Sequence, residues 1–329
     1  MEFTKPTRRE LLGIGLCAGA ALMTTPALAA YPEKPVKWIV GYPPGGATDA
    51  IARLLSQPMT KTLAQPLVID NRPGAGSSVG AVALAASPAD GYSIMSADVG
   101  TLVINPVVYK SLQYDPERDF RPVGLYAGIN FLLAVPVDSP LKSVKDFIES
   151  AKSPDEPVAY ASPGIGSPLH LAMERLAQEA NINLNHVAYK GMAPALNDVL
   201  AGSVGSIIID YTTAGEMLRA GKLRALAIFS EARLDALPEI PTIAEQGFPD
   251  FSAVSWHGLI VPKSTPDDVV ATLSEALSEA LKDQTVRDRY ATLGLDMPPS
   301  DQDTFVKRWQ GDKETLQPLI RSLNIKLDG

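Results

Sequence analysis

Short apolar runs alternate with longer amphipathic stretches along almost the whole chain. Val36 to Val40, Leu67 to Asp70, Ser93 to Ala97, Phe131 to Val135, Val158 to Ala161, Ile207 to Asp210, Ala225 to Phe229 and Gly258 to Val261 are β-branched or apolar segments bounded by Gly, Pro, Asn or Ser, which predicts buried strands. Helical patterns lie between them. Ser167-Pro168 reads as an N-cap followed by a first helical residue, and Leu169, Met173, Leu176 and Ala180 then share a face. Thr265-Pro266 repeats that signal before Val270, Leu273, Leu277 and Leu281, with Asp267 and Asp268 placed favourably in the first turn. Alternation of this kind predicts parallel sheets with helices on both faces, the doubly wound α/β class, whose ligands sit at the carboxyl ends of strands. No repeat, low-complexity tract or flexible linker interrupts the pattern. Two domains would therefore be joined by strands, and Leu132 to Pro136 and Val254 to Val261 are the candidates.

Three strand-to-helix turns are rich in glycine. The first, Gly41-Tyr42-Pro43-Pro44-Gly45-Gly46-Ala47-Thr48-Asp49, leads into a helix starting near Thr48, so its amides would point at a carboxylate or phosphate in the turn. A tight connection with Thr48 as N-cap is the plainer reading. Pro58 predicts a kink or break near Gln57. The second turn, Asn71 to Gly80, admits two further readings. Gly74, Gly76 and Gly80 approximate a dinucleotide fingerprint with the wrong final spacing. Gly76-Ser77-Ser78-Val79-Gly80 matches a hydrolase nucleophile elbow, with Asp210 and His257 downstream in the required order. The third turn is Ala161 to Ser167. If the first two belong to one domain and the third to another, they converge on a cleft from both sides.

Composition narrows the choice. The chain of 329 residues carries 29 Lys+Arg against 37 Asp+Glu, a net charge of −8, which argues against a nucleic-acid partner. Residues 1–29 look like an export leader of twin-arginine form, with Arg8-Arg9 before the apolar run Leu11 to Leu22 and Ala27-Leu28-Ala29 as cleavage signal. Its loss would leave the remainder one unit more acidic, and the expected compartment is the periplasm. Cys17, the single cysteine, lies in that leader, so disulfides and thiolate chemistry are not expected of the mature chain. His170, His186 and His257 are too scattered for a metal site, and no cofactor or metal is expected. His170, in the first turn after Ser167, could touch a ligand; structural roles are favoured for the other two. Lys190 could bring one positive charge to the cleft. Asp210 ends a strand where cleft residues belong, or caps the next helix.

With these turns in view, the chain resembles the Bug-type solute-binding proteins, the extracytoplasmic receptors of tripartite tricarboxylate transporters. The resemblance rests on Pro43-Pro44-Gly45-Gly46 with Asp49 and Ala52-Arg53, Asn71 to Gly76, Asp90-Gly91-Tyr92, Tyr114-Asp115-Pro116, Asp119-Phe120, Pro122-Val123, Tyr189-Lys190-Gly191, Gly221 to Ala227, and Leu237-Pro238 through Pro241-Thr242 to Glu245. It implies the type II periplasmic-binding-protein fold, two doubly wound domains with a ligand cleft between them. Residues 30–132 plus 255–329 would form domain 1 and 133–254 domain 2. It further implies a non-enzymatic, monomeric receptor that holds a small dicarboxylic, tricarboxylic or aromatic acid and delivers it to membrane transporter subunits. Carried over by motif, the ligand-binding residues would be Tyr42, Gly45, Gly46, Thr48, Ala75, Ser77, Ser78 and Thr101 from the first domain. Ser162, Gly166, Ser167, His170 and Asp210 would come from the second, with Trp256 where the chain recrosses. Ser77-Ser78 departs from the glycine and small polar residue frequent in the family. The competing functions are a serine hydrolase built on Ser78 and a ligand-binding sensory module.

Overall fold

The computed structural model describes residues 31–152 and 157–327; the proposed leader and Cys17 lie outside the described residues. Two mixed α/β sheets organise the chain, each with its own helices. The first contains β1 (Val36–Val40), β2 (Leu67–Asn71), β3 (Ser93–Asp98), β4 (Phe120–Ile129), β10 (Ser255–Pro262) and β11 (Leu295–Asp296) in the order β11-β4-β10-β3-β1-β2. The second contains β5 (Phe131–Pro136), β6 (Val158–Ser162), β7 (Leu184–Ala188), β8 (Ile207–Asp210) and β9 (Leu223–Ile228) in the order β7-β6-β8-β5-β9.

The same plan underlies both. Within each sheet a parallel trio (β2-β1-β3 and β7-β6-β8) is followed by an antiparallel strand delivered from the other lobe. The chain leaves the first sheet at Asn130, between β4 and β5, and returns through Ser252 to Val254 into β10. The outward crossing is a single residue between two strands, whereas the return runs through non-strand residues before β10 begins at Ser255. Purely parallel sheets are not what forms: β10 and β5 run against their neighbours, because a strand that arrives from the opposite lobe enters from the carboxyl edge of the parallel trio.

Two expected helix starts shift. Thr265 does not cap α7 (Asp267–Lys282); Pro266 occupies the N-cap position, and the Thr265 hydroxyl donates to the Pro262 carbonyl at 2.7 Å. Helix α1 (Ala47–Leu63) begins after Gly46, so Thr48 lies inside its first turn. It also continues through Pro58 without a break, because Leu55 before the proline and Met59 and Leu63 after it are all buried and hold both halves against the sheet. The remaining main helices are α2 (Ser78–Ala85), α3 (Val144–Ala151), α4 (Pro168–Ala180), α5 (Met192–Leu200), α6 (Tyr211–Arg219), α8 (Gln284–Leu293) and α9 (Gln302–Ser322).

Candidate functional site

In both sheets the parallel strands point their carboxyl ends at the crossings. His257, two residues into β10, is in register with Asp98 at the end of β3, and Phe131, the first residue of β5, is in register with Asp210 at the end of β8. Val99, next to Asp98, lines one cavity together with Phe131 and with Pro168 at the start of α4. The loops after β1, β2 and β3 therefore lie toward the same junction as those after β6 and β8.

On the first lobe, one carboxylate shapes the turn between β1 and α1. Asp49 accepts from the Gly45 amide, from Nε and a terminal nitrogen of Arg53, and from Asn71 Nδ2, each at 2.9 Å. The bonds from Arg53, more than those from Gly45 and Asn71, hold its pKa down to about 2. Asn71 also donates to the Tyr42 carbonyl at 3.1 Å. The Tyr42 hydroxyl donates to Asp98, whose other oxygen accepts from the Thr101 amide and hydroxyl at 2.7 Å each. Burial, and after it the neighbouring Asp98 charge, pushes the Tyr42 pKa well above its ordinary value. Thr48 Oγ1 lies 3.2 Å from His257 Nε2.

The second turn leans on the first. Ala75, Gly76 and Ser77 all have positive φ, and Ser77 sits so close to Gly41 that a Cβ there would come within 1.8 Å of the serine Oγ. Only glycine permits that approach. Asn105 secures the turn by donating to the Gly76 carbonyl at 2.8 Å and to Ser78 Oγ at 3.2 Å. A triad on Ser78 is not assembled: His257 turns to Thr48, and Asp210 caps α6 by accepting the Thr213 amide at 2.9 Å.

On the second lobe Ser167 caps α4, accepting the His170 amide at 3.2 Å, and Pro168 occupies the first helical position. His170 Nδ1 accepts the Gly166 amide at 3.0 Å, and its ring stacks on His186 at 4.0 Å. His186 Nε2 meets Ser162 Oγ at 2.6 Å. Burial, reinforced by His186, lowers the His170 pKa to about 3. Replacing Ser167 with alanine is expected to cost about 1 kcal/mol of stability, the usual loss for an N-cap, with a small drop in melting temperature as the readout.

Most of the residues singled out from the sequence thus fall into two groups. Tyr42, Gly45, Gly46, Thr48, Ala75, Ser77, Ser78 and Thr101 gather on the first lobe, and Ser162, Gly166, Ser167, His170 and Asp210 on the second. Trp256 stands apart: its indole donates to Asp312 and packs edge-on against Phe305 of α9. Sequence reasoning missed Asn105 and the joining role of His257, since neither carries a local signal; both act through partners distant in the chain. Among the described residues no group of three or more His, Cys, Asp or Glu could hold a metal ion. What the arrangement offers a guest is chiefly main-chain amides at the starts of α1, α2 and α4, partial positive charges suited to an anion.

Residues 51–325 match the model of the tripartite tricarboxylate transporter family receptor. The chain belongs to this receptor family. This receptor is 35% identical over 288 residues to Protein BugT of Bordetella pertussis, a match covering 87% of the chain and 88% of that protein. A solved periplasmic transporter is 38% identical with a TM-score of 0.80, covering 91% of the chain and 100% of its own. An R. palustris protein solved with adipate is 29% identical with a TM-score of 0.80, covering 90% of the chain and 99% of its own. MatC from Rhodopseudomonas palustris with bound malate is 30% identical with a TM-score of 0.76, covering 88% of the chain and 100% of its own. The Bug-type resemblance and the periplasmic-binding fold are thereby established for the receptor. Among the described residues no helix is long and apolar enough to cross a membrane.

Proposed function

We propose that this receptor captures a small carboxylate between its lobes and delivers it, chemically unchanged, to the membrane subunits of a tripartite tricarboxylate-type transporter. The reading rests above all on the two carboxyl-end edges that face one junction and present capped or glycine-opened helix starts there. Relatives solved with adipate and malate support the ligand class. In this proposal residues 30–132 plus 255–329 form the first domain and 133–254 the second. The leader directs the monomeric receptor to the periplasm. Attraction from helix termini, about 0.3–2 kcal/mol each, suits a protein that must let its cargo go. Lobe closure adds specificity by excluding water around the guest.

The test is a thermal-shift screen of the purified receptor against dicarboxylates, citrate-like acids and aromatic acids. A ligand at roughly 100-fold excess over Kd stabilises by about 2.7 kcal/mol, a rise of several degrees. Unshifted melting curves across the whole panel would remove the carboxylate reading.

A further inference from the structure

Asp98 is a buried carboxylate, 5% exposed, with no Lys or Arg partner among the described residues. It ends β3 at the edge that faces the junction, and its neighbour Val99 lines a cavity with Phe131 and Pro168. Three donors satisfy it: the Tyr42 hydroxyl at one oxygen, and the Thr101 amide and hydroxyl at the other. His257 Nε2 is 4.0 Å from the carboxylate, but it lies closer to Thr48 Oγ1 at 3.2 Å, and burial favours its neutral form. Its Nδ1 is buried without a partner.

Hydrogen-bond accounting then gives this corner a definite polarity. A tyrosine has one proton to donate, and Tyr42 gives it to Asp98, so the phenol oxygen has only lone pairs left to offer. The Thr101 hydroxyl proton is spent in the same way. What remains is a set of acceptors carrying one uncompensated negative charge, next to turns whose amides attract an anion. A plain carboxylate is drawn to the amides and repelled by Asp98. A guest whose carboxylate has a nearby hydroxyl or ammonium group satisfies both.

Building on the carboxylate reading above, we infer that Asp98, through Tyr42, makes this receptor select small carboxylic acids that carry a hydroxyl or amino donor. Titration calorimetry on the purified receptor with two matched series tests it: succinate, malate and aspartate, then adipate, 2-hydroxyadipate and 2-aminoadipate. The expected result is that a substituted acid in at least one series binds about tenfold or more tighter than its plain parent, as one charge-assisted hydrogen bond implies. Asp98→Asn should erase that preference while plain acids still bind, and Tyr42→Phe should weaken it. An ammonium cargo loses more than a hydroxy acid in Asp98→Asn, which tells the two donors apart. Equal or better binding of the plain acids by the wild type, or a preference that survives both variants, overturns the inference and leaves the carboxylate reading standing. Binding of none of the six overturns the inference; the fate of the broader reading is then decided by the wider panel.

Discussion

Exchanging Asp49 for alanine is expected to lower stability by about 3 kcal/mol and to weaken ligand binding by at least about tenfold. The carboxylate is almost fully buried and accepts from Gly45, Arg53 and Asn71 at once. Its removal frees the Gly45 amide, strips Asn71 of one partner and loosens the turn whose amides face the junction. That loss falls at the low end of the cost of breaking a buried ion pair, because the Arg53 side chain is 52% exposed and can return to water. Arg53→Met is the informative contrast. It leaves Gly45 and Asn71 bonded to Asp49 but removes the two bonds that do most to hold the carboxylate's pKa down, so its expected cost is about 1–2 kcal/mol, less than that of Asp49→Ala. Thermal denaturation and calorimetric titration of both variants check the pair. Should Asp49→Ala melt within a degree of the wild type, the turn is held by something other than this carboxylate.

The parts of the fold that were legible in the sequence are those with local causes. Val36–Val40 and Ile207–Asp210 are strands with the bounds their apolar runs suggest, and Ser167 caps α4 because serine before proline is a local signal. Strand β4 was not legible. Pro122, Gly124 and Gly128 blur its pattern, and it forms because it is buried against β10 along its length. Pro122 is tolerated there because its pairing with Ile260 falls beside a register shift in the β10 ladder and β11 covers only Gly128 and Ile129 on the other edge.

The site divides in the same way. Glycine-rich turns announced themselves, because close approach and positive φ restrict the residue type. The groups that tie the turns together did not. Asp98, His257 and Asn105 act across 209 positions of chain in one case and 29 in another, and a single sequence holds no trace of such pairings. Thr48 illustrates the exchange: expected to cap its helix through local chemistry, it turns its hydroxyl to a histidine from the returning strand.

Acid is expected to destabilise this receptor well above the pH at which Asp49 protonates. All three histidines have lowered pKa values, and burial is the leading cause for each; at His257 the Asp98 charge pulls the other way without prevailing. An unfolded chain takes up protons on histidine near pH 6.5, whereas the folded chain refuses them until lower pH, about 3 for His170. The folded state therefore has its full stability above about pH 7. As pH falls it loses up to about 1.4 kcal/mol per unit for each histidine kept neutral, so His170 alone removes about 2 kcal/mol by pH 5. Asp49 contributes in a separate window. Its stabilisation persists until the pH drops from its unfolded value near 4 toward about 2, so losses between pH 7 and 5 belong to the histidines. Denaturant unfolding at pH 7.5, 6 and 5 should show the decline, and His170→Gln should flatten it by roughly one proton's worth of slope. A wild-type stability that stays level over that range would mean that the stacked pair titrates as it does in water. The same protonation reaches the second lobe's turns directly: a proton on His170 Nδ1 displaces the Gly166 amide bond, and a charge on His186 burdens the ring stacked 4.0 Å away. Ligand affinity should accordingly fall with pH alongside stability.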